Sequence, residues 1–176
     1  MRDGAHERRR PHAPRRSSGP ARRAPPLSPV EAVCAAAVER LKTRLPGKVI
    51  VERFPDRPYD YDFEGYEAAA LVLYDGSRFD ASEQGLREEL RLVVSLLVRG
   101  LDGENGAYAL LADIRAALHG VSLAGSTALR PVEIALEREA QGVWQYRAAF
   151  AAAIVAVPVK SARGVALPQF FVPERR

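Results

Sequence analysis

The sequence predicts an α+β domain in which two helices pack on a mostly antiparallel sheet of about five strands, in the order α-β-β-β-α-β-β. Three observations lead there. Two stretches, 30–45 and 107–119, carry apolar side chains at helical spacing. Five others read as strands, by alternation or as short apolar runs between breakers. Length is the third, since 176 residues suit a single core.

Ser28-Pro29-Val30-Glu31 predicts the first helix start: Ser28 as cap, Pro29 at the first helical position, and Glu31 reaching back to the Ser28 amide. Val30, Val33, Cys34, Ala37, Val38, Leu41 and Leu45 then form one apolar face, and Pro46-Gly47 ends the helix. Residues 48–54 read as a strand, broken by Pro55 and Pro58, which cannot donate to a ladder. Residues 59–67 form a polar, aromatic loop. The stretch 68–74 is apolar on both faces, as a central strand requires, and Asp75-Gly76-Ser77 predicts a turn out of it.

In the next strand Leu90, Leu92, Val94, Leu96 and Val98 share one face, with Arg91, Ser95 and Arg99 on the other. Residues 100–106 form a loop, followed by a helix through Leu110, Leu111, Ile114 and Leu118 that Gly120 stops. Val132, Ile134 and Leu136 alternate with Glu133 and Glu137. A Gln141-Gly142 turn leads into a last strand over 143–157, where Trp144, Tyr146, Phe150 and Ile154 face the core.

The net charge of +4 is unevenly placed. Residues 1–27 hold eight Arg against two acids, a net +6, leaving −2 on the rest. With five prolines and almost no large apolar side chain, this arm is expected to be disordered, and any nucleic-acid binding would rest on it alone. Residues 28–157 make the single domain. The tail 158–176 carries the apolar pair Phe170-Phe171 outside any strand pattern, suiting an extended arm laid on a neighbouring subunit or packed back on its own domain. No apolar run approaches a membrane span and no signal-peptide pattern opens the chain, so a soluble protein made in the cytoplasm is expected.

Candidate chemistry is sparse. Cys34 is the one cysteine, which excludes an intramolecular disulfide, and it falls within a Val/Ala stripe where a thiol behaves as a small hydrophobe. His6 and His12 lie in the arm, and His119 ends a helix. Asp60-Tyr61-Asp62-Phe63-Glu64-Gly65 begins a calcium-loop pattern, but its twelfth position is Leu71 rather than Glu. The Gly100–Gly106 stretch lacks a Walker Lys-Ser/Thr, and Asp102 and Glu104 would repel phosphate. No catalytic residue, metal or cofactor is expected; the chain reads as a non-enzyme.

Several stretches, in their order and spacing, resemble the Mu-like phage family of small tail proteins, itself similar to the tail terminators of other long-tailed phages. They are Val38-Glu39-Arg40-Leu41 with Leu45-Pro46-Gly47, Phe54-Pro55-Asp56-Arg57-Pro58, Ala70-Leu71-Val72-Leu73-Tyr74 with Gly76-Ser77-Arg78-Phe79, Gly106-Ala107-Tyr108-Ala109-Leu110-Leu111, Leu129-Arg130-Pro131 and Gly142-Val143-Trp144-Gln145-Tyr146. Residues 28–157 are covered; the Arg/Pro arm and the long C-terminal tail depart from the family's pattern, the arm suggesting an extension or a misassigned start. The resemblance implies a tail-terminator-like protein that caps the head-proximal end of a contractile or other tail tube as a hexameric ring. It implies as partners further copies of the chain, the tail tube protein, and sheath and neck or head-connector proteins, assembling in the host cytoplasm, with DNA only passing through the lumen. The alternatives are another neck subunit and a nucleic-acid-binding module using the arm. Asp56, Arg57, Arg78 and Phe79, expected on loops flanking the sheet, are the candidate interface residues with Phe170 and Phe171.

Overall fold

In a computed structural model of the chain, which describes residues 27–58, 61–82 and 85–156, the first helix begins where the capping box predicts. The Glu31 amide donates to Ser28 Oγ at 3.3 Å, and the Ser28 amide donates to the Glu31 carboxylate at 2.9 Å. Helix α1 spans Pro29–Lys42 and buries Val33, Cys34, Ala37, Val38 and Leu41. It stops at Thr43, a turn ahead of Pro46-Gly47.

Strand β1, Val49–Arg53, pairs in parallel with β2, Ala68–Ser82, through Val49↔Ala68 to Arg53↔Val72. The remaining pairings are antiparallel: β2 with β3 (Gly85–Val98), β3 with β5 (Val143–Ala156), and β5 with β4 (Arg130–Ala140). Helix α2, Ala107–Leu118, lies between β3 and β4 in sequence, and the strands stand in the order β1-β2-β3-β5-β4. This is the predicted α+β arrangement, with its one parallel pair at an edge. A parallel neighbour needs a crossover; here it is the segment 54–67, with no α-helix among its described residues.

Both helices cover one face of the sheet. Helix α1 packs on β1 and β2, and α2 on β3 and β5. The Arg40 Nε donates to the Ala117 carbonyl at 2.6 Å, tying α1 to the last turn of α2, where a cation also favours the helix dipole. Beneath them Leu90, Leu92, Val94, Leu96 and Val98 are buried with Ala148, Phe150, Ile154 and the α2 residues Leu110, Ile114 and Leu118. Trp144 and Tyr146 are half-buried against this core. On the opposite face a smaller cluster forms, in which Phe63 from the crossover segment covers Ala69 and Leu71.

The main departure is at Asp75-Gly76-Ser77. The predicted turn is a β-bulge inside one long strand: Tyr74 pairs with Leu92 and Ser77 with Leu90, so two residues oppose Arg91. Gly76, at φ 101°, supplies the backbone conformation the bulge requires. β3 correspondingly starts at Gly85 rather than near Leu90. The β4–β5 turn is as predicted, with Gln141 at φ 53° and Gly142 at φ 78°.

Two outcomes check this packing. Phe150 has no exposed surface, so Phe150→Ala should cost about 3–5 kcal/mol in chemical denaturation. Cys34 is only 2% exposed and burial pushes its thiol ionisation up, so a thiol reagent at neutral pH should label the native chain at least about a thousandfold more slowly than the unfolded one.

Candidate interaction surfaces

Asp56 and Arg57 are exposed in the crossover segment just past the end of β1, as expected. Arg78 and Phe79 are not on a loop: they lie within β2 beyond the bulge, paired with Glu89 and Glu88. The turn chemistry of Asp-Gly-Ser is real, but it is absorbed as a bulge because β3 offers a continuous partner. Both are exposed, Phe79 by 61%. No hydrogen bond or ion pair links Asp56 or Arg57 to Arg78 or Phe79 among the described residues. Phe170 and Phe171 lie outside those residues.

Arg78 borders a shallow cleft of about 360 Å³ shared with Asp75, Glu89, Arg91 and Arg130. The charges around it are already engaged. Asp75 lies 3.4 Å from Arg91 and 2.9 Å from Arg147, Glu133 is 3.3 and 3.2 Å from the same two guanidiniums, and Arg130 pairs with Glu89. Gln145 extends the lattice, donating to Glu137 at 3.0 Å and to Ser95 at 3.2 Å. Exposed pairs of this kind contribute little each. They flank the small, buried Ala149 and Ala151 of β5, which pair with Glu133 of β4 and Arg91 of β3.

The residues that suggested chemistry are likewise occupied. His119 is the C-cap of α2. The Asp62 carboxylate accepts the Glu64 amide at 2.9 Å, and Phe63 plugs the sheet beneath Arg99, whose guanidinium stands 4.8 Å over the ring. The Tyr61 hydroxyl has no hydrogen-bond partner of normal geometry; burial, then the neighbouring Glu52 carboxylate, pushes its ionisation up and keeps it a neutral phenol. In the glycine-rich loop, the first amides of α2 face inward: Ala107 donates to Gly100 O at 3.0 Å and Tyr108 to Leu101 O at 3.2 Å. The Gly106 backbone is so close to Asp102 that a Cβ would sit 2.3 Å from its carbonyl oxygen. That loop is a tight helix start with its first two helical donors already bonded to its own carbonyls.

Sequence reasoning missed one surface. The alternation of Val132, Ile134 and Leu136 is genuine, but β4 is an edge strand with no substantial helix contact, and the three are 46%, 41% and 49% exposed. Alternation identifies a face and not what covers it. The signal available was the contrast between this apolar row and the absence of a third amphipathic helix in 27–156 to lie on it.

No curated protein sequence matches the chain. Among solved structures, it is similar to a chain from the "Virion of native gene transfer agent (GTA) particle", at 16% identity and a TM-score of 0.50, covering 72% of this chain and 97% of that one. At that identity the likeness is one of fold. The pattern of one family, described as Gp37 protein, matches residues 37–169, from within α1 to past the end of β5. By that match over most of its length, the chain belongs to the Gp37 protein family.

Proposed function

We propose that the chain is a structural, non-catalytic component of a phage-like particle, and that it acts as a tail terminator, closing the head-proximal end of the tube as a ring of six copies. The observation that carries this reading is the fold shared with a virion chain, which this domain matches over 97% of that chain's length. Membership of the Gp37 family and the resemblance of 28–157 to the small tail proteins of Mu-like phages favour the same role.

The surface chemistry suits it. A ring cap needs two different, mutually complementary patches at its seam, a face for the tube and a face for the neck, none of which requires an activated nucleophile or a proton-transfer pair. The charged side chains on the open sheet face neutralise one another, and the thiol is buried. Residues 28–176 carry a small net negative charge, so a lumen built from them would not grip DNA. The partners are other copies and the tube protein, with sheath and neck proteins beyond. Asp56, Arg57, Arg78 and Phe79, all exposed near one end of the sheet, are the candidate seam or tube contacts.

Native mass spectrometry of the full chain, alone and mixed with the tail tube protein of the same particle, should show a closed hexamer in at least one condition. A monomer that ignores the tube would overturn the capping role in favour of another neck subunit, or of a nucleic-acid module if affinity for DNA fell steeply with salt and was lost without residues 1–27. Charge reversal of both Arg57 and Arg78 should weaken assembly by about tenfold or more, while thermal stability stays nearly unchanged because both are exposed. Undiminished assembly would remove these residues from the interface.

A further inference from the structure

The uncovered side of β4 is a row of exposed apolar side chains that the fold leaves unexplained. Ile134 stands opposite Ala148 and Leu136 opposite Tyr146, so this row continues the helix-covered core face outward by one strand. Half-buried Trp144 and Tyr146 border it, and Tyr108 on α2, 56% exposed, stands beside Tyr146. The core therefore runs out to the sheet edge without a lid. An edge strand with an exposed apolar row is a pairing and aggregation hazard unless something covers it.

Two segments of this chain lie beyond the described core. Residues 1–26 contain no Val, Leu, Ile, Phe, Tyr or Trp, and their one large apolar side chain is Met1. Residues 157–176 contain four Val, one Leu and two Phe. The chain reaches them from β5, the strand directly beside β4, and the family pattern continues into them as far as residue 169.

The lengths agree as well. Arg130, at the start of β4, pairs with Ala151, five residues before the end of β5 at Ala156. At about 3.3 Å per residue and about 4.8 Å between strands, the path from Ala156 back to the outside of β4 is a diagonal of about 20 Å. Residues 157–163 extend to about 24 Å, which covers it. From there the segment would run beside β4 in the same direction, bringing residue 170 level with Leu136. Val165, Leu167 and Phe171 would then each fall within one residue of the level of Val132, Ile134 and Leu136.

We propose that residues 164–172 dock on the β4 edge of their own chain, with Phe170-Phe171 seated at Leu136 and Tyr146, completing the core and shielding the edge. This stands independently of the terminator reading, since it concerns the free chain.

The test is disulfide trapping in the full-length protein carrying Leu136→Cys, at a position 49% exposed, and Phe171→Cys. Mild oxidation should give an intramolecular disulfide, visible as loss of two free thiols with no covalent dimer. A Phe79→Cys/Phe171→Cys pair should react at least about tenfold more slowly, since Phe79 is level with Ile154, eight residues along β5 from Tyr146, about 26 Å away. Covalent dimers would overturn the proposal in favour of a second copy's segment, and equal rates for the two pairs would overturn docking altogether. As a readout without new cysteines, Phe170→Ser with Phe171→Ser should raise amide exchange over 132–138 by about tenfold and shift the emission of Trp144, the only tryptophan, to the red. Unchanged exchange and emission would equally refute it.

Discussion

Strand β3 sets the terms for the rest of the molecule. It pairs on both sides over nearly its whole length, and its even-numbered residues from Leu90 to Val98 are all buried on one face. Burying that row is the dominant favourable contribution, and it requires a cover about two helices wide. α1 and α2 supply it, held together by the Arg40 to Ala117 hydrogen bond. The odd-numbered face cannot be buried in the same way, because Arg91 must keep its charge solvated or paired. It is closed instead by the crossover segment at one end and by the Arg91, Arg147, Asp75 and Glu133 lattice in the middle.

Where local chemistry and tertiary packing agreed, the fold was legible from residues. Ser28 through Glu31 is a complete capping box, and Gln141-Gly142 is a two-residue hairpin turn with both residues at positive φ. Asp75-Gly76-Ser77 was misread because bulges and turns draw on the same residues, and only a partner strand decides between them. That one decision moved Arg78 and Phe79 from a loop into β2. The parallel pairing of β1 was not legible for a related reason: strand direction depends on where the 54–67 segment travels, and that segment lies against the sheet with Phe63 packed on Ala69 and Leu71.

The candidate surface was partly legible in the same sense. Exposure of Asp56 and Arg57 follows from the prolines that bracket them, since neither Pro55 nor Pro58 can join a ladder. Exposure of Val132, Ile134 and Leu136 does not follow from their spacing, which is that of any half-buried strand. It follows from counting covers: two helices span β1, β2, β3 and β5, and the fifth strand is left over.

The character of β4 also bears on how it is used. Its pairing with β5 shifts register twice, between Pro131 and Glu133 and again between Leu136 and Arg138, and each irregularity twists the strand and disturbs its outer row of backbone donors and acceptors. An eleven-residue edge with two such breaks is a poor template for adding a regular strand, yet it still presents apolar side chains on the core side. Recognition at this edge must then rest on side-chain burial more than on a continuous ladder. A partner interrupted by proline, as residues 164–172 are by Pro168, loses little there, whereas it would lose a ladder hydrogen bond against a straight edge. The same breaks that make β4 a poor template for a regular strand leave its apolar side chains as the feature that a partner would bury.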